Sequence, residues 1–310
     1  MKIIDAAPEG ITQISWSPNG EWIAYVRGED EVCIANISTD EIRVIGKGAC
    51  PGITSDNTVI LERNNEILAI GTTGEKLLFG INDLVKNSPK RAPVLSFDGT
   101  KIAFVANNVF DKDSQTKNAY PYRHFIALGD VKSKKATMTR EQWYGGTMLW
   151  FPDGSHFVHF EYDSTGGAQL HILTAKGEHE GTVFGLYPSV SPDGRKIACK
   201  PKSGGNVVIY TCKDKWHKDT LEAVVMKIPQ NSGHLSATPP LWIDNRHVLV
   251  DETEKVWRVD TRRDNPTQIN KFSAPTSRGE STWSISPTRE LLAMEVKGKD
   301  QFELQITKLN

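Results

Sequence analysis

Across 310 residues, 37 Lys and Arg face 38 Asp and Glu for a net charge of −1, so bulk charge singles out neither nucleic acid nor any other charged partner. Hydrophobic residues make up 38% and Trp contributes eight, enough for a buried core, while no apolar run reaches the 18 residues of a membrane span. The opening Met1-Lys2-Ile3-Ile4-Asp5 lacks the basic start and apolar stretch of a secretory signal, which makes a cytoplasmic protein without membrane insertion the expectation.

Along the chain one phrase recurs seven times. It begins as Trp16-Ser17-Pro18-Asn19-Gly20 followed by Ile23-Ala24-Tyr25, and continues as a worn copy, Ile53-Thr54-Ser55-Asp56-Asn57 with Ile60-Leu61. Three clear copies follow: Leu95-Ser96-Phe97-Asp98-Gly99 with Ile102-Ala103-Phe104, Trp150-Phe151-Pro152-Asp153-Gly154 with Phe157-Val158, and Val190-Ser191-Pro192-Asp193-Gly194 with Ile197-Ala198-Cys199. Leu241-Trp242-Ile243-Asp244-Asn245 with Val248-Leu249 and Ile285-Ser286-Pro287-Thr288-Arg289 with Leu292-Ala293 are worn again. Each copy reads as a β-hairpin: an apolar strand end, a tight turn whose Asp or Asn bonds its own backbone and whose Gly accepts positive φ, then a second apolar strand.

The Gly positions 20, 57, 99, 154, 194, 245 and 289 are 37, 42, 55, 40, 51 and 44 residues apart, and the two chain ends together supply 41 more. A period of roughly 40 residues with about four strands is that of a propeller blade. The expectation is an all-β, seven-bladed β-propeller of four-stranded antiparallel blades in one domain, 1–310, with six blades and one degenerate repeat as the alternative. The blades run approximately over 11–46, 50–80, 93–138, 147–184, 187–229, 239–271 and 282–308, the last completed by an N-terminal strand at 1–6.

The Trp-Ser-Pro-Asp-Gly phrase followed by Ile-Ala-Phe or Ile-Ala-Tyr resembles the repeats of TolB-like propellers, whose relatives include the propeller domains of prolyl-oligopeptidase-type and tricorn-type proteases. The marks of WD repeats are missing, Trp257-Arg258-Val259-Asp260 being an echo at most. The resemblance implies the fold. In that family the phrases are structural, so no catalytic or binding residue is carried over from them.

The strands ahead of the turns would line the central channel, and the stretches 11–17, 50–55, 93–97, 148–151, 188–191, 240–243 and 283–286 contain no Asp, Glu, His, Lys or Arg. Acid–base catalysis needs titratable groups converging on one point, so a catalytic residue, a cofactor and a metal are all expected to be absent from the axis. No G-x-S-x-G is present. His156 and His159 would point to opposite faces of a strand, whereas a turn centred on Thr165 would set His159 opposite His171 as a stacked or hydrogen-bonded pair. Asp56, Asp98, Asp153, Asp193 and Asp244 each belong to a separate turn. Trp16, Trp150, Trp242 and Trp283, like Tyr25, Phe104 and Met294, read as packing between blades. Cys33, Cys50, Cys199 and Cys212 read as reduced and buried, with Cys199 pairing near Val208 and out of register with Cys212.

Variation between copies concentrates in the loops. An insertion at 107–124, with loops at 84–92, 132–146, 229–238 and 271–281, is assigned to one face, and the Asp-Gly turns to the other. Summed charge is roughly +5 for the loop face and roughly −5 for the turn face. The expected function is a non-catalytic interaction or scaffold module, or a structural part of a larger assembly. Trp143, Tyr144, Tyr120, Tyr122, Lys86, Lys90, Arg91, Lys132, Lys134, Lys135 and Arg140 would meet an acidic patch on a protein partner. Nucleic acid is disfavoured for want of a recognised module. Lys213-Asp214-Lys215-Trp216-His217-Lys218 adds a second exposed aromatic on the opposite face. The alternative is an enzyme or small-ligand receptor using the channel mouth, with Asp83, Asp111, Asp113, His234, Arg278 and Glu280 as its polar groups.

Overall fold

The structure is a computed structural model that describes residues 1–80, 90–107, 124–142, 148–162, 167–202, 206–214, 216, 221–229, 238–252, 255–263, 266–269 and 282–309. Seven four-stranded antiparallel sheets stand in a ring, and in each the strand ahead of the tight turn is innermost. Six sheets follow chain order. The seventh is built from both ends of the chain, with Lys2–Ala7 paired against Phe302–Lys308, then Leu291–Lys297 and Trp283–Ile285. The seven-bladed expectation is met and the six-bladed alternative falls.

The recurring phrase works through its hydroxyl. In blade one Ser17 Oγ accepts the Trp22 amide at 2.9 Å and donates to Asn19 Oδ1 at 2.6 Å, while Gly20 N closes the turn on Ser17 O. Ser96 and Ser191 do the same with Lys101 and Lys196 as amide donors and Asp98 and Asp193 as acceptors. Thr54 replaces Ser in blade two, and Ser286 accepts the Leu291 amide in blade seven. One hydroxyl thus satisfies the first amide of the second strand and pins the turn carboxylate. The residue at the Gly position of the turn lies at φ between 62° and 72° in six blades, including Asn57 and Arg289, where the Gly is missing. A side chain at Gly99 would also meet Thr54 Cα at 2.9 Å. Blades four and six depart from this pattern: Phe151 stands in place of the hydroxyl in blade four, while in blade six Asp244 takes the amides of Arg246 and His247, and Asn245 accepts the Asp193 amide of blade five.

These bonds carry a pH signature. Burial works to raise the Asp98 carboxyl, but hydrogen bonds from Ser96 and Thr100, with Lys101 nearby, outweigh it and hold its pKa below the ordinary carboxylate value. A depressed folded pKa contributes stability above the unfolded pKa of about 4, and that stability is lost as pH falls through the folded value. Asp98→Asn, which copies the natural Asn19 of blade one, should therefore leave the melting temperature near neutrality almost unchanged and flatten its decline below about pH 4. Parallel melting curves for variant and wild type down to pH 2.5 would refute this.

The core is distributed over seven seams, one between each pair of neighbouring blades. Second strands are therefore buried on both faces and read as continuous apolar runs. In Trp22–Arg27 the side chains of Ile23 and Tyr25 enter the seam with blade seven, and those of Trp22, Ala24 and Val26 enter the seam with blade two. Tyr25, Phe104 and Met294 occupy the same place in their blades, and all are fully buried.

The four cysteines are free thiols. Cys33 and Cys199 are buried, whereas Cys50 and Cys212 are only half-buried, which corrects the expectation of four buried thiols. Cys199 pairs with Val208 as expected, and burial pushes its thiol up to about 12.

Candidate functional site

The ring encloses an axial cavity of about 530 Å³ lined by residues from all seven blades. Four of these strands share a device that shapes its wall. Register breaks at Thr12/Ser15, Ala49/Gly52, Arg91/Val94 and Leu186/Ser189 mark β-bulges, and the bulged residues Gln13, Cys50, Ala92 and Tyr187 sit at φ near 50°. In three of them Pro51, Pro93 or Pro188 follows, which needs no amide partner and suits an inner edge. The bulges bring Gln13, Cys50, Ala92 and Tyr187 into the cavity wall. Side chains from neighbouring blades bond the amides at this level: Cys50 N donates to Gln13 Oε1, Ala92 N to Glu62 Oε2 at 3.1 Å, and Ile11 N to Glu295 Oε2.

None of the described lining residues is Asp, Glu, His, Lys or Arg. The inner strand of blade three nevertheless runs over Lys90–Leu95, three residues further toward the loop face than expected, because its bulge lets the ladder continue past Pro93. Its backbone therefore carries Lys90 and Arg91 at the loop-face end of the channel. Carboxylates and an ammonium lie one strand further out. Glu62, Lys200, Asp251 and Glu295 occupy the same place, the position of Val26, on the second strands of blades two, five, six and seven. Sequence reasoning passed over them because they sit in strands read as core, although four ionisable residues at one repeat position was a visible signal.

The tryptophans pack as expected and bridge the seams by hydrogen bonds. Trp150 Nε1 donates to Val94 O at 2.9 Å, Trp242 Nε1 to Ser189 O at 3.1 Å and Trp283 Nε1 to Pro239 O at 2.9 Å. His159 pairs with His171 across its hairpin, ring centroids 5.5 Å apart and edge to face. His171 Nε2 lies 2.9 Å from Glu161 Oε2, and Thr182 Oγ1 lies 3.0 Å from His171 Nδ1. Among the described residues no three His, Cys, Asp or Glu groups gather to hold a metal. Asp56, Asp98, Asp153, Asp193 and Asp244 stay within their separate turns.

The proposed basic loop face does not survive as drawn. Lys132, Lys134 and Lys135 lie at the turn between His124–Asp130 and Lys135–Gln142, where Lys101 pairs with Asp130 and Val131 N bonds Thr100 O. That places all three beside the Asp-Gly turns. Third and fourth strands are joined on the face where first and second strands are joined, because each strand reverses the one before. Three positive charges thus move to the turn face and remove most of the expected asymmetry. Trp216, expected to be exposed, is 4% exposed and stands edge-on to Phe151 at 5.4 Å. Arg140 lies within the strand Lys135–Gln142 and pairs with Ile126 in the ladder. Lys86, Tyr120, Tyr122, Trp143 and Tyr144, and all of Asp83, Asp111, Asp113, His234, Arg278 and Glu280, lie outside the described residues.

No protein-family model matches the chain, and no curated protein matches it. Solved structures do. An oligogalacturonate lyase in complex with manganese aligns at TM-score 0.68 and 12% identity over 98% of this chain and 90% of that one. An oligogalacturonate lyase from Vibrio parahaemolyticus aligns at TM-score 0.69 and 12% identity over 99% and 93%. Hydrazine synthase from Kuenenia stuttgartiensis gives TM-score 0.64 and 12% identity over 97% and 96%. At this identity the likeness shows the seven-bladed ring, without placing the chain in a TolB-like or WD-repeat family. It also overturns the reading as a non-catalytic interaction module: proteins named as enzymes share this ring over nearly its whole length, so a bare propeller is no argument against chemistry. No helix among the described residues is long and apolar enough to cross a membrane.

Proposed function

We propose that this chain is an enzyme or receptor for a small molecule that binds on the propeller axis. The supporting observation is the axial cavity. Its volume of about 530 Å³ falls within the range of roughly 300–1,000 Å³ typical of ligand pockets, and its walls are largely apolar with a few hydroxyl and amide groups. Acid–base groups, where chemistry needs them, would come from the loop face, through Asp83, Asp111, Asp113, His234, Arg278 and Glu280.

The test is a thermal-shift and calorimetric screen of neutral and acidic sugars and aromatic metabolites. Oligogalacturonate belongs in it because two neighbours are named for it. Ser284→Trp, which places an indole in the cavity wall of blade seven, serves as the plugged control. Binding by wild type that the plug reduces at least tenfold is the expected outcome. Hits that bind both proteins equally would overturn the axial site.

A further inference from the structure

Resting on the axial site just described, we infer that its occupant is uncharged and ring-bearing, and that a carboxylated or phosphorylated molecule of the same size is rejected. The walls present Trp16, Phe97, Trp150 and Tyr187, together with prolines from six of the seven blades. Aromatic and pyrrolidine faces offer broad contact to flat or cyclic molecules. Among the described lining residues nothing neutralises an anion, and an ion stripped of water without a partner is strongly disfavoured. The polar groups that remain are dipoles. The inner strands form one edge of every sheet, so each turns one side of its backbone away from the ladder and toward the axis, and hydroxyls such as Ser15 and Ser284 lie beside them.

The charges on the second strands are committed elsewhere. Glu62 and Glu295 accept backbone amides of the next blade, and Lys200 is paired with Asp251. None of the four lines the cavity.

Two matched pairs separate charge from shape: trigalacturonate against its trimethyl ester, and 2-naphthoate against 2-naphthol. Binding is measured calorimetrically to wild type and to Ser284→Trp. The neutral member of at least one pair should bind at least tenfold more tightly than its acid and lose that binding to the plug. Tighter binding of the acids that the plug still abolishes would overturn the ligand class and leave the axial site standing. Binding that ignores the plug, or none by either pair, would overturn the inference together with the site.

Discussion

Lys200→Met should destabilise the protein by about 3–5 kcal/mol, because it leaves the Asp251 carboxylate buried without its counterion. Lys200 Nζ is 2.8 Å from Asp251 Oδ1 in the seam between blades five and six, and the two side chains are 3% and 6% exposed. The pair itself is not a source of comparable net stability, since desolvating two charges offsets most of their attraction. The double variant Lys200→Met with Asp251→Leu should therefore recover most of the loss. The fold already demonstrates that apolar side chains fit this place, for Val26, Val105 and Phe160 hold it in blades one, three and four. Urea unfolding reads the outcome as a shift in midpoint at constant slope. A single variant within about 0.5 kcal/mol of wild type, or a double variant as unstable as the single, would contradict it.

Removing residues 1–6 should lower the melting temperature by roughly 10 °C. The segment is the fourth strand of the closing blade, and several ladder bonds to Phe302–Lys308 worth about 1 kcal/mol each would go with it. The strand is also welded to the next blade: Tyr25 donates its hydroxyl to Asp5 Oδ2 at 2.6 Å, and Arg27 Nη1 lies 3.2 Å from the same oxygen. Tyr25→Phe alone should cost about 1.5–3 kcal/mol, the range for a hydrogen bond to a charged group. A synthetic peptide of residues 1–7 added to the truncated protein should restore part of the loss in a concentration-dependent manner. An unchanged melting temperature on truncation would show that the ring closes without this strand.

Much of the architecture was legible because its cause is local. Ser17 acts on Asn19 and Trp22, and Ser96 on Asp98 and Lys101, so each turn advertises itself within five residues and the spacing of the turns counts the blades. The facing of His159 and His171, and of Cys199 and Val208, followed from a turn position and strand alternation alone. Errors arose where a residue's neighbour lies in another blade. Trp216 looked solvent-exposed in a run of lysines, yet Phe151 of blade four covers it. Lys132, Lys134 and Lys135 were grouped with loops nearby in sequence, although an even number of strand reversals sets them on the opposite face.

By itself, then, the amino-acid sequence determined the number of blades, the place of the turns and the joining of the two termini. Each rests on hydrogen bonds or alternation reaching only a few residues, or on counting repeats. The tertiary structure alone decided what happens between blades: the bulges that push Gln13, Cys50, Ala92 and Tyr187 to the axis, the cavity they enclose, the Lys200–Asp251 pair and the Glu295 bond to Ile11. Those partners are 51 and 284 residues apart: the packing of blade six on blade five brings the first pair together, and the closure of the ring the second.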